Sequence, residues 1–372
     1  MTIGFDFYKA PQIIFGTGSL KRIPEIISRY GSSVLLVTGS ASFQSSHSWD
    51  WLMQTCRDEK IELSQASCST EPSPQFVDDI KDKYRQQQID IVIGIGGGSV
   101  LDGAKAISAM LGKKASVTAY LEGVGNKTAD GSKVPFIAVP TTSGTGSEAT
   151  KNAVISEVGP NGFKKSLRHD NFVPDIALID PQLMLQCPAN ITAACGMDAF
   201  TQLLEAYLSP QSNDLLDALL LDGLGKLESS FMQSVQDGSN LEARTAMAYA
   251  SLISGIGLAN VGLGVVHGFA SPLGGLFTIP HGVVCGSLIA PATRINVRKI
   301  IDSSLTAAIA KYARVGRLFS EVHGKSDAFY CNALVETLEA WSRELSIPYL
   351  SDYGINENDL LKIVELTGLK NN

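Results

Sequence analysis

Two hydrophobic patterns divide the chain. Between residues 33 and 181, short apolar runs rich in Val and Ile end in glycine or threonine and lead into helical periodicity: SVLLVTG (33–39), IDIVIGIGGG (89–98), VPFIAVPTT (134–142) and DIALIDP (175–181). A strand that is apolar at every position is buried on both faces, so such runs alternating with helices predict a parallel sheet covered on both sides. Beyond Asp180-Pro181 the strand signal fades, and Ala/Leu-rich segments at 192–208, 214–234, 240–259 and 328–344 read as helices. The expected architecture is an α/β N-terminal domain over residues 1–184 and an all-α C-terminal domain over 185–372. No internal repeat or low-complexity tract interrupts it, and the terminal GLKNN is expected to fray.

Composition agrees with two cores. A chain of 372 residues exceeds the roughly 250–300 at which one core stops growing, and 44% of it is hydrophobic. The formal charge is −7 and no Lys/Arg block occurs, so a nucleic-acid partner would lack its electrostatic footprint. The opening MTIGFDFYKAPQ has neither the basic nor the apolar region of a leader, and no run reaches the ~18 apolar residues of a membrane span. These features predict a cytoplasmic protein that engages neither membrane nor nucleic acid. The six cysteines are scattered without C-x-x-C pairs, which suits a reducing compartment with most of them acting as small core residues.

The glycine-rich stretch GIGGGSVLDGAKAISAML follows a buried strand directly and runs into an amphipathic helix. Glycines let the backbone approach a pyrophosphate, while free N–H groups and the positive helix end receive its charge. Asp102 lies one turn into that helix, where it either meets a ribose or nicotinamide group or is simply an early-helix acid favoured by the dipole. A second loop, PTTSGTGSEAT (140–150), also follows a strand, and Thr141, Thr142, Thr145 and Ser147 place four hydroxyls within reach of a ligand's phosphate and amide groups.

GLGVVHGFASPLGGLFTIPH (262–281) holds two of only five histidines. On one unbroken helix His267 and His281 would stand about 21 Å apart, too far to share a ligand. A turn at Pro272-Leu-Gly-Gly is expected to bring both imidazoles to one point.

At these residues the sequence resembles the iron-containing alcohol dehydrogenase family, within the wider group that also holds glycerol dehydrogenase and dehydroquinate synthase. FGTGSL, GGGSVLDGAK, PTTSGTGSEAT, IDP, GMDAFTQLLEAY and HGFASPLGG…PHGVVCGSLIAP match in order along nearly the whole chain. The resemblance implies a dinucleotide-binding domain, a helical domain, an active site in the cleft between them, and a homodimer. Gly96, Gly97, Gly98 and Ser99 would hold the cofactor pyrophosphate, Thr141, Thr142, Thr145 and Ser147 would line the nicotinamide side, and Lys164 would reach a ribose. The adenosine end would meet Gly39, Ser40 and Ser42. None of these is the acid that repels a 2′-phosphate, which favours NADP over NAD.

The resemblance also implies a divalent metal, Fe or Zn, held by an Asp, a His four residues later, and two further histidines. Asp198, His267 and His281 match three of these positions, and Gln202 stands at the fourth. The position four residues after His267, where the family often has a substrate-facing histidine, is Ser271. The activity implied is reversible hydride transfer between a nicotinamide and an alcohol–aldehyde or alcohol–ketone pair, with the metal as Lewis acid. Phe200, Phe269, Phe277 and Lys151 are read as cleft residues that set the substrate. Three readings compete. One is a metal-free reductase in which His267, His281 and Asp198 act on the substrate directly. Another is a dehydroquinate-synthase-like lyase or cyclase using NAD transiently, its basic residues being Lys151, Lys164, Lys165 and Arg168. The third is a nucleotide-binding protein without catalysis.

Overall fold

The computed structural model describes residues 4–368. Met1–Ile3 and Leu369–Asn372, which include most of the GLKNN tail, lie outside the described residues.

Strands β1 (Gln12–Phe15), β2 (Ser33–Thr38), β3 (Glu62–Ser67), β4 (Ile91–Gly96), β5 (Phe136–Pro140) and β8 (Ile176–Ile179) form a six-stranded sheet in the order β1-β8-β5-β4-β2-β3. All its pairings are parallel. Strands β6 (Asn152–Glu157) and β7 (Phe163–Arg168) make a separate antiparallel hairpin. In β2, Val34 and Leu36 face a core with helices α1 (Ile23–Ile27) and α2 (His47–Asp58). Leu35 and Val37 face the other core, with α3 (Pro74–Tyr84), α4 (Gly98–Met110) and the hairpin. Continuous apolar strands are thus covered twice, as their pattern requires.

Topology places the crevice. From β2 the chain steps outward to β3 and then returns past β2 to β4. The loops leaving β2 and β4 therefore flank a switch point at the carboxyl edge, the place where open α/β sheets bind ligands. The first carries Gly39–Ser42, and the second is Gly97, which opens directly into α4 at Gly98-Ser99.

The remainder is helical: α5 (Ala189–Leu208), α6 (Asp214–Glu228), α7 (Phe231–Gln236), α8 (Leu241–Val261), α9 (Val265–Leu276), α10 (His281–Asp302), α11 (Thr306–Leu318), α12 (Asp327–Glu344) and α13 (Glu357–Leu366). Helix α5 is the axis of this core. It buries Met197, Phe200, Leu203, Leu204 and Tyr207, and it also buries Asp198, Gln202 and Glu205. Buried polar groups are the informative ones, because each must find a partner.

Two expectations for this half are corrected. The single helix expected over 214–234 breaks at Ser229-Ser230. The Ser229 hydroxyl bonds back to the Lys226 carbonyl at 3.1 Å, and Phe231 turns inward onto Trp341 with ring centroids 5.2 Å apart. The turn expected at Pro272-Leu-Gly-Gly is also absent, since Pro272 lies inside α9 and the chain turns at Phe277–Pro280. The glycines serve packing rather than a turn. A Cβ on Gly275 would sit 2.9 Å from Phe163 Cα, and one on Gly274 would sit 2.8 Å from Lys164 Cδ, so α9 lies directly on β7.

Candidate functional site

A cavity of about 530 Å³ runs from the glycine loop to the two histidines. Its walls include Gly98, Ser99 and Asp102 of α4, Thr145 and Ser147 of the hydroxyl loop, Lys164 of β7, and Gln202, His267, Ser271 and His281 of the helical half. Such a volume suits a small-molecule or cofactor site.

At the loop end, β4 passes into α4 through Gly97, whose extended backbone precedes the first helical turn. Thr141 N donates to the Gly96 carbonyl at 2.9 Å, holding the two loops side by side. Gly98 is glycine because a Cβ there would lie 2.6 Å from Thr145 Oγ1. Thr145 Oγ1 and Ser147 Oγ are 2.9 Å apart. Gly39, Ser40 and Ser42 lie across the switch point, and Gly96, Gly97, Thr141 and Thr142 stand behind the wall; none of these seven lines the cavity. Asp102 Oδ2 accepts from Val154 N at 3.0 Å, while its buried Oδ1 has no hydrogen-bond partner. Burial raises its pKa above the usual carboxylate range, against the opposing pull of Lys105. Lys164 Nζ donates to Glu71 Oε1 at 2.5 Å, and Ser156 Oγ donates to the other Glu71 oxygen at 2.7 Å.

At the far end, Asp198 comes from α5, His267 from the first turn of α9 and His281 from the first residue of α10. The imidazole centroids are 5.4 Å apart. His267 Nε2 lies 3.3 Å and His281 Nε2 3.5 Å from Asp198 Oδ1. Cys285, one turn along α10, completes a group of four ligand atoms all within 4.8 Å of one another. One carboxylate, two imidazoles and one thiol are donors that suit a divalent transition metal. Gln202 lies on the α5 face that carries Asp198, but both ends of its amide are engaged: Nε2 donates to the Thr145 carbonyl at 3.2 Å and Oε1 accepts from Ser254 at 3.0 Å.

Residues 10–181 match the iron-containing alcohol dehydrogenase family, and residues 192–371 match the C-terminal region of the same family. The chain belongs to the iron-containing alcohol dehydrogenase family. It is an alcohol–aldehyde oxidoreductase. It is 31% identical to the 1,3-propanediol dehydrogenase of Klebsiella pneumoniae over 97% of this chain and 92% of that one. It is 28% identical to the NAD-dependent methanol dehydrogenase of Bacillus methanolicus over 95% and 91%. The crystal structure of a 1,3-propanediol oxidoreductase superposes with a TM-score of 0.87 at 30% identity, covering 99% of this chain and 94% of that one.

Electrostatics in this alcohol dehydrogenase family member set the two histidines apart. Burial works against the His267 imidazolium, but Cys285, Asp198 and Glu205 outweigh it and hold its pKa well above the ordinary value. Burial dominates at His281 and lowers its pKa to about 4. Burial also pushes the Cys285 thiol up to about 12, while Asp198 stays below its ordinary value because the two histidines outweigh its own burial. Glu205 is buried and bonds His267 Nδ1 at 2.7 Å. Its position one further turn along from Asp198 and Gln202 was the available signal.

Other expectations change with the structure. Phe200 is not a cleft residue: it is fully buried against Trp341 and Phe319, with centroids 5.4 and 5.6 Å away. Lys151 pairs with Asp170 at 2.8 Å and does not line the cavity. Phe269 and Phe277 pack on the cluster formed by α9, α10 and α13. Ser271, in the wall, donates to the Lys164 carbonyl at 2.7 Å.

Proposed function

We propose that the chain interconverts a small alcohol and its aldehyde or ketone in this cavity, with NAD or NADP lying from the β2–β4 switch point to the hydroxyl loop and the substrate oxygen at Asp198, His267 and His281. The observation that carries the reading is one continuous cavity bounded by Gly98 and Ser99 at one end and by both histidines at the other. When bound, the nicotinamide supplies or accepts the hydride, and a divalent cation held by Asp198, His267 and His281 supplies Lewis acidity toward the substrate oxygen.

The chain's own groups do the rest. Backbone N–H groups at the start of α4 receive pyrophosphate, with Gly96, Gly97, Gly98 and Ser99 forming the cradle. Asp102 Oδ1, which accepts no hydrogen bond within the protein, and the hydroxyls of Thr145 and Ser147 orient the nicotinamide, with Thr141 and Thr142 supporting that loop from behind. Lys164, steadied by Glu71, meets the ribose. Leu258, Leu263 and Ala270 make the cavity wall near the histidines apolar and exclude water there. Gly39, Ser40 and Ser42 receive the adenosine, and the lack of an acid among them supports acceptance of NADP beside the NAD named for one relative. In this reading the domains are residues 1–184 and 185–372, the enzyme is a cytoplasmic homodimer, and no nucleic acid or membrane takes part.

The test is steady-state oxidation of NADH and NADPH with a series of small aldehydes, alongside direct titration of NADH. His267→Ala should lower kcat/KM by at least about 100-fold, the effect of removing Lewis-acid assistance worth several kcal/mol, and leave NADH affinity unchanged. An unchanged rate, or equal loss of NADH binding, would place the chemistry elsewhere. A single turnover without net NAD(P)H consumption would favour the transient-NAD lyase chemistry.

A further inference from the structure

Gln202 stands where the family resemblance implies an imidazole, and the structure gives its amide other partners. The Thr145 carbonyl can only accept, so the amide nitrogen is fixed on that side and Oε1 faces Ser254. Cys285, in contrast, follows His281 by four residues on α10, so the two side chains share one helix face. Its Sγ lies 3.7 Å from His267 Nε2 and 3.9 Å from His281 Nε2.

We propose that Cys285 supplies the fourth metal ligand as a thiolate, so that the pair of ligands on adjacent helical turns has moved from α5 to α10. The donor set is then Asp198, His267, His281 and Cys285. This rests on the reading of the cluster as a divalent-metal site.

The distances support it. Tetrahedral zinc with bonds of roughly 2.0–2.1 Å to nitrogen and oxygen and 2.3 Å to sulfur needs ligand-to-ligand edges of about 3.3 Å for N to O and about 3.6 Å for N to S. The observed N to O edges are 3.3 and 3.5 Å, and the N to S edges are 3.7 and 3.9 Å. Each of these four edges is within a few tenths of an ångström of what the ion requires, and the other two, N to N and O to S, are no longer than 4.8 Å. A cysteine serving only as a small core residue would have carbon on all sides, whereas this fully buried one has two imidazole nitrogens beside it.

The chemistry selects the ion. Binding forms metal–sulfur and metal–nitrogen bonds while the Cys285 thiol proton and the His267 Nε2 proton pass to solvent. The set then carries two negative charges, from Asp198 and Cys285, and cancels a dication that one carboxylate and three imidazoles would leave at +1. A thiolate also softens the site, favouring Zn²⁺ and its spectroscopic substitute Co²⁺ over oxygen-preferring Mg²⁺ and Mn²⁺.

The test uses the full-length protein stripped with a chelator and titrated with Co²⁺ or Zn²⁺ alone. One equivalent of each is expected. The Co²⁺ form should show a thiolate-to-cobalt charge-transfer band, and X-ray absorption of the Zn²⁺ form should show one sulfur at about 2.3 Å. Cys285→Ser should lose both signals and bind at least about 10-fold more weakly, while Gln202→Ala should keep both signals. Metal bound through nitrogen and oxygen alone, or a band that survives Cys285→Ser, overturns the thiolate ligand and leaves the metal site standing. No uptake by the native protein overturns both. If Cys285→Ser does not fold, X-ray absorption on the native protein decides.

Discussion

Glu205 uses its two carboxylate oxygens on two tasks. Oε1 accepts from Val266 N at 2.7 Å and so caps the start of α9, where the helix dipole favours an anion. Oε2 takes His267 Nδ1 at 2.7 Å. With Nδ1–H directed at a carboxylate, Nε2 is aimed at the space between Asp198 and Cys285, and once it gives up its proton it presents its lone pair there, the arrangement that orients and strengthens a metal-binding imidazole. Glu205→Gln keeps the shape and an acceptor for the cap but removes the charge. Metal affinity should fall about 10- to 100-fold with little loss of thermal stability, measured by chelator competition and melting temperature. Unchanged affinity would reduce Glu205 to a helix cap.

At the scale of elements, Lys105 joins α4 to the hydroxyl loop and β6. Its Nζ donates to the Ser147 carbonyl at 2.9 Å, to Thr150 Oγ1 at 2.8 Å and to the Asn152 carbonyl at 2.8 Å, with Asp102 Oδ1 3.7 Å away. Burial lowers its pKa to about 8 against the pull of Asp102 and Glu148. Lys105→Met strands two carbonyls and a buried carboxylate, so unfolding free energy should drop by roughly 3–5 kcal/mol in a denaturant titration. Sequence patterning reached this level unevenly. The four strands that line the middle of the sheet were legible because they are buried at every position and carry continuous apolar runs. Strand β3 was not, since ELSQAS lies at the sheet edge with mostly exposed or half-exposed side chains, and neither was the hairpin strand FKKSLR, whose lysines face the cavity. In α9 the proline and glycines carried turn chemistry in isolation, and only the packing against β7 shows their use. The family resemblance points to Asp198, His267 and His281, and the structure brings their side chains together. Cys285 does not stand out among six scattered cysteines, because its thiol gains meaning only from the imidazoles that folding brings to it.

At the scale of the whole molecule, the core of the helical half reaches into the α/β half, which keeps a core of its own on each face of the sheet. Ala149, Ala177 and Ile179 of the α/β half belong to the same buried cluster as Met197, Phe200 and Trp341 of the helical half. Apolar surface shared in this way couples their unfolding. Calorimetry should therefore show a single endotherm whose van 't Hoff and calorimetric enthalpies agree, and two resolved endotherms would show that the halves unfold independently. The same continuity bears on Gln202, whose amide links the helix bearing Asp198 to the loop bearing Thr145. One hydrogen bond thus joins the loop at one end of the cavity to the helix that carries Asp198 at the other. Any shift in that joint on cofactor binding enters the free energy of metal binding, and thermodynamic reciprocity then makes the two effects equal in size. Were the joint to shift in this way, the affinity of the proposed metal site would depend on how much oxidised or reduced nicotinamide surrounds the enzyme.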